Sequence, residues 1–356
     1  MQMSTLQVSL AVVGGLVLAG VVAHSAWSSR RNAPRQADEP VFRNSGLEPR
    51  EPMMDPMADA GAATDSSAAL ELPSALPLPV ADKRLGLDAL VDTLCPIRLE
   101  HAIYGEAAIQ SLPPTRRAGG KPFAIEGLNA DTHVWEPAQP GQRYSAFQAG
   151  VQLANRTGPL NEIEFSEFVV KAQGFADAIN GAPEFPEMLD AVAHGRELDQ
   201  FAGEHDAHLC FTLRAQSAAW STGYIHQNAS RLGFVPGAIP GRMVLPSAHA
   251  GMPHVLSLVF DTQAALAEDM TQSAVREVSL NLEVPHVDRT ERPFVRLRET
   301  AISLAASMDG MITDDQGLFV SRDAMDHIGS ELEKLYDKLD ERDFSAGSPL
   351  ARRLFN

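Results

Sequence analysis

The sequence predicts an α+β fold, an antiparallel sheet with helices packed on one face, preceded by one transmembrane helix and a linker. Three observations predict it. "HLCFTLRA" (208–215) alternates Leu209, Phe211 and Leu213 with His208, Cys210 and Thr212, the period of a half-buried strand. "EVSLNLEV" repeats that pattern with Val278, Leu280, Leu282 and Val284 on one face. The last two long segments carry apolar stripes at three- and four-residue steps: Phe294, Leu297, Ala301, Leu304 and Met308, then Met325, Ile328, Leu332, Leu335 and Leu339.

From the N-terminus, "LQVSLAVVGGLVLAGVVAHSAW" (Leu6 to Trp27) has no formally charged side chain and is long enough to cross a bilayer as a helix. Arg30, Arg31 and Arg35 follow it and no Lys or Arg precedes it, so the positive-inside rule places the rest of the chain in the cytoplasm. A cleaved signal peptide is the rival, since "AHSA" offers small residues, but its positive charge belongs before the apolar core. Gly15 and Gly20 lie five apart, which fails the GxxxG spacing. From about residue 30 to 84 the composition turns to Pro, Ala, Met and acidic residues with almost no aromatics. That is a linker that builds no core and acts as a spacer.

Residues 85–204 read as strand ("CPIRLEHAI"), helix ("GEAAIQSL"), two strands ("THVWEPA" and "RYSAFQAGVQLAN") and a helix with Phe165, Phe168, Val169, Ala172 and Phe175 as its stripe. "RAGGKPF" between them is a basic turn, too short for a phosphate loop. Residues 205–344 read as strand, helix (Trp220 to Leu232, ended by Gly233), three strands, helix opened by Pro293, hairpin, and a final helix N-capped by Ser321. Residues 345–356 form a C-terminal tail. The parallel order suggests a degenerate tandem duplication, with "SAFQAGVQLAN" at the place of "LSLVFDTQAAL" and one strand missing from the first copy.

"MDGMITDDQGLFVS" (308–321) sets two aspartates between apolar runs and invites a catalytic reading. The residues favour a hairpin instead. Met311-Ile312 and Leu318-Val320 are strand-like, "TDDQG" has turn chemistry, and adjacent strand side chains point to opposite faces, so Asp314 and Asp315 do not converge.

The net charge is −17, which disfavours a nucleic-acid surface, and Cys95 and Cys210 are too few for a disulfide scaffold or zinc ribbon. His205 and His208 are the closest histidine pair, with no third metal ligand evident. GxSxG and dinucleotide fingerprints are absent. The reading assigns no catalytic, cofactor or metal residue and no small-molecule substrate.

An uncharged anchor followed by "SSRR", an acidic Pro-rich linker, and "SLVFD", "VSLNLEVP" and "ISLAASMDGMITDDQGLFVSRDAMDHIGSELEKLY" in order resemble the ZipA family of bacterial cell-division proteins. The resemblance covers the anchor and about residues 206–339. It implies a non-enzymatic adaptor at the inner membrane and the division site that binds the C-terminal peptide of FtsZ in an apolar groove on the open face of the sheet. By register that face would present Cys210, Thr212, Met243, Ser257, Val259, Asp261, Ser279 and Asn281. Asp261 and Asn281 stand where the family favours Met and Phe. The face is therefore either a modified groove or a solvated surface, and the alternative binding surface lies in the first half around Trp135, Phe147 and Val151, unless Phe147 and Val151 are core. A divisome scaffold of the same fold without FtsZ binding is the competing function, and a secreted hydrolase with a signal peptide a third.

Overall fold

The computed structural model describes residues 34–36, 86–267 and 273–356. The apolar segment Leu6 to Trp27 and all of the linker except Pro34–Gln36 lie outside them. Among the described residues no helix is long and apolar enough to cross a membrane.

The first half runs β1 (Asp92–Tyr104), α1 (Gly105–Ser111), β2 (Arg117–Ala118), β3 (Lys121–Asn129), β4 (Trp135–Glu136), β5 (Arg143–Gln152), β6 (Ala154–Asn155), β7 (Gly158–Pro159), α2 (Glu162–Ala178), β8 (Ala182–Pro183) and α3 (Met188–His205). The second runs β9 (His208–Ala215), α4 (Thr222–Arg231), β10 (Val235–Pro236), β11 (Arg242–Leu245), β12 (Leu256–Val259), α5 (Thr262–Ala265), β13 (Glu277–Glu283), α6 (Pro293–Met308), β14 (Gly310–Thr313), α7 (Arg322–Glu341) and α8 (Pro349–Leu354).

Each half is an antiparallel sheet with a helical layer, so the α+β expectation holds. The sheet orders are β2-β3-β5-β1-β8, with β4 on β3, and β10-β11-β12-β13-β9-β14. In both, the first strand sits next to last in the sheet, a helix follows it, and a long helix (α2 in the first half, α6 in the second) precedes a short strand added on its far side. On this topology β5 corresponds to β13. That moves "SAFQAGVQLAN" one strand away from the match with "LSLVFDTQAAL". The strand that seemed missing is β3, the counterpart of β12; also unread, at the edge where the second sheet has β14, is β8. Its two residues, paired Ile97 to Pro183 and Arg98 to Ala182, are too few to leave a periodic signal.

The local chemistry explains the element ends. Asn161 and Glu164 form a reciprocal capping box at α2. Ser221 and Ser321 cap α4 and α7 by accepting the amides of Tyr224 and Ala324. Asp309 takes a left-handed conformation (φ 56°) at the end of α6, so it terminates that helix, and Gly310 already belongs to β14. The aspartates expected in a hairpin turn lie in one: Asp314 N–H donates to Leu318 O at 2.9 Å, its carboxylate accepts from Gln316 and Leu318, and Gly317 has φ +83°.

The stripes of α2, α6 and α7 turn inward. Phe147, Phe168 and Phe175 join α2 to the first sheet, and Leu280, Leu297, Leu304 and Leu339 join the second layer. Sequence periodicity missed β3, hidden behind the basic turn whose Gly119 has φ +55°, and α3, whose stripe is interrupted by Gly195. That glycine has a role: a Cβ there would lie 2.8 Å from the Leu153 carbonyl oxygen, so α3 rests directly on the backbone between β5 and β6.

The two halves share one continuous buried cluster. Arg156 of the first half holds Asp206 through two 2.8 Å contacts and Glu283 of the second through one of 3.2 Å. Residues 345–356, expected as a tail, form α8 and its flanks and complete this junction. Leu354 and Phe355 are buried, Gln152 Nε2 donates to Arg353 O at 2.7 Å, and Arg353 pairs with Asp92 at 2.5 Å.

Candidate functional site

In the second half, Phe211, Leu213, Val278, Leu280, Leu282 and Leu258 fill the face toward α4 and α6. Pairing then fixes the opposite, open face. Ser257, Asn281 and Cys210 form one row across β12, β13 and β9, and Val259, Ser279 and Thr212 form the next. Six of the eight residues expected on that face are therefore brought together.

The other two are not. Met243 pairs with Leu258 on the helix side and is fully buried, while its neighbours Arg242 and Val244 stand opposite Val259 and Ser257 on the open side. A shift of one residue moves every side chain of a strand to the other face, and "RMVL" is apolar enough at alternate positions for either choice to look plausible from sequence. Asp261 lies beyond the end of β12, where its carboxylate accepts the Gln263 amide at 2.7 Å and caps α5. It belongs to a helix start.

The surface proposed for the first half also changes. Phe147 and Val151 are buried on the helix side, Phe147 packing edge-on against Phe175 at 5.3 Å. Trp135 is on the short edge strand β4 and keeps 39 % of its exposure. The open face of this sheet carries a segment of the chain itself. Leu87 crosses it above Gly150, where a Cβ would come within 2.6 Å of Leu87 Cδ2. The Leu87 amide donates to Glu126 Oε1 at 3.1 Å, and Gln148 Nε2 donates to Glu126 Oε2 at 3.0 Å. Glycine at 150 is what admits the leucine.

The face of the second sheet is a mixed surface. Val244, Val259, Ser279, Asn281 and Cys210 are half-buried, and Ser257 and Thr212 nearly covered. Arg242 reaches across to Ser257, Nη2 to Oγ 3.4 Å, and its buried Nε has no hydrogen-bond partner among the described residues. At the far side Arg214 pairs with Glu277 at 3.2 Å. His254, at the end of the face beside Ser257 and Asn281, is held below the ordinary imidazole value by burial first and then by the Arg242 charge. Beyond Arg214, Met311, Leu318 and Phe319 keep 38, 63 and 67 % of their exposure and form an apolar rim on the hairpin. Arg242, Val244 and this rim were missed by sequence reasoning. Alternation anchored on Val259 rather than on Met243 would have found the first two.

Elsewhere the chemistry is structural. His205 stacks on Phe201 and bonds its carbonyl through Nδ1 at 2.7 Å, whereas His208 is exposed on β9, so the pair has no common focus. Among the described residues no three His, Cys, Asp or Glu side chains converge. Lys121 is buried with Nζ on Asn155 Oδ1 at 2.6 Å, and burial lowers its pKa. A cleft of about 770 Å³ beside α8 is lined by Arg116, Arg117, Arg352 and Arg353, of which Arg353 is neutralised by Asp92 and Arg117 donates to Gly120 O. Neither a protein-family model nor a curated protein matches the chain.

Proposed function

We propose that the chain is a non-catalytic, membrane-anchored adaptor of the bacterial division apparatus, of the ZipA type, whose second half binds the C-terminal tail of FtsZ on the open face of its sheet. In this reading Leu6 to Trp27 spans the inner membrane with the N-terminus periplasmic, and the described residues lie in the cytoplasm at midcell. The observation that carries the reading is the one-sided helical layer. It leaves five adjacent strands with a face on which most side chains are half covered and Ser257 and Thr212 more fully, which is the geometry on which an extended peptide can lie. The face suits a peptide that brings an aliphatic side chain to Val244 and Val259 and a carboxylate to Arg242. Modest affinity is enough, because FtsZ is a polymer and adaptors share one membrane.

The shared order of five strands in the two halves supports a tandem duplication in which Leu87 lies on the face of the first copy while the face of the second is mostly half covered. A second reading, a divisome scaffold that recruits another protein, is favoured by the polar groups Arg242, Ser257, Ser279 and Asn281. An apolar tail gains about 25 cal/mol per Å² of apolar surface buried and gains nothing against those groups.

Co-sedimentation of residues 28–356 with FtsZ polymers tests the proposal. Binding should fall at least tenfold in Val259→Asp, because a buried valine contributes about 1.5–3 kcal/mol and the new carboxylate adds a desolvation cost. Met243→Leu, a volume-conserving change on the other face, should leave it unaltered. A parent protein that stays in the supernatant while a fluorescent fusion still gathers at midcell would transfer the case to the scaffold.

A further inference from the structure

Pro34–Gln36 is separated from the rest of the described chain by forty-nine residues, yet it lies against the second half. Arg35 forms a parallel bridge with Trp220, which itself bridges Val275 in the antiparallel sense. The Arg35 amide donates to Ala219 O at 2.7 Å and the Ser221 amide donates to Arg35 O at 2.8 Å. The side chain adds a third tie: Nη2 of Arg35 meets Asp309 Oδ2 at 2.8 Å. Asp309 is well placed for this, since its left-handed backbone ends α6, its carbonyl accepts the Gln216 amide, and Ser217 Oγ donates to the same carboxylate oxygen at 2.8 Å. Beneath them Trp220 is fully buried and its Nε1 donates to Met308 O at 2.8 Å, so the receiving strand is rigidly seated. Backbone pairing supplies the affinity in such strand addition, and the Asp309 carboxylate selects arginine.

We infer that residues 34–36 are a docking strand that clasps the second half through Ala219, Ser221 and Asp309. The consequence for position rests on Leu6 to Trp27 being the membrane anchor proposed above. Arg35 lies eight residue steps beyond Trp27, a reach of at most roughly 28 Å even when extended. A domain hung from the end of the whole linker could stand off by roughly 170 Å more. The docking strand therefore keeps the second half close to the bilayer.

Limited trypsin digestion of the full chain in lipid nanodiscs, read by mass spectrometry, tests this. Arg43 and Arg50 serve as internal references in the same segment. Cleavage after Arg35 should be at least tenfold slower than after Arg43. Asp309→Arg, which replaces attraction by repulsion, should bring the two rates together, and Asp309→Asn should fall between. Equal rates at Arg35 and Arg43 in the parent protein would overturn the docking strand. So would protection unchanged in Asp309→Arg with Ala219→Pro, which also misplaces the acceptor strand. Omitting lipid separates the two readings: protection that persists in a chain that fails to partition into nanodiscs upholds the strand and rejects closeness to the membrane.

Discussion

Phe355→Ala offers the sharpest check on the junction between the halves. The ring is 1 % exposed and its backbone is tied to both halves, through the Phe355 carbonyl to His286 Nε2 at 2.9 Å and through the neighbouring Asn356 carbonyl to the Arg156 amide at 3.2 Å. Removing a buried phenylalanine costs about 3–5 kcal/mol from lost transfer free energy and the cavity left behind. That is a large part of the roughly 5–15 kcal/mol that holds an ordinary domain folded. Because α8 seats against both β6 and the segment after β13, the loss should be felt on both sides. Amide hydrogen exchange read by peptide reports each half separately. Protection of the slowest amides should fall by roughly two to three and a half powers of ten in β1 and β5 as well as in β9 and β13. A loss confined to one half, with the other at parental protection, would refute a shared core and make the halves independent units.

Three further outcomes follow from single contacts. Gly195→Ala should destabilise by about 1–3 kcal/mol in urea titration despite alanine's better helix propensity, since the added carbon meets the Leu153 carbonyl at 2.8 Å; a stabilised variant would show that α3 is free to shift. Trp220→Phe should cost about 1–3 kcal/mol for the orphaned Met308 carbonyl, with a further contribution from the space left, whereas a neutral result would mean water replaces the indole. His254 and His226 are both held below the ordinary imidazole pKa near 6.5 by burial, so the unfolded chain takes up their protons first and stability is lost as the pH falls below that value. His254→Gln should shrink the drop in unfolding midpoint between pH 7.5 and pH 5.5, and an undiminished drop would place the acid sensitivity elsewhere.

Periodicity carried well where one element supplies its own evidence. The stripes of α6 and α7, the Ser321 cap and the turn at Gly317 are decided by residues within a few positions of each other, so they are legible in the chain. The Val278, Leu280, Leu282 face of β13 is legible for the same reason: alternation needs only one strand. Legibility ended where an element is too short or its pattern is broken, as in two-residue β8 and in α3 with its glycine.

What the sequence alone determined is therefore the class of the fold, most of its long helices and strands other than α3 and β3, and most members of the open face. Only the tertiary structure decided which side of β11 looks outward, because that depends on the pairing of Met243 with Leu258 across strands. It alone placed Leu87 on the first sheet, α8 in the junction and Arg35 beside Trp220. Each of those contacts joins residues far apart in the chain, and their free energy comes from burial and backbone pairing that no local pattern encodes.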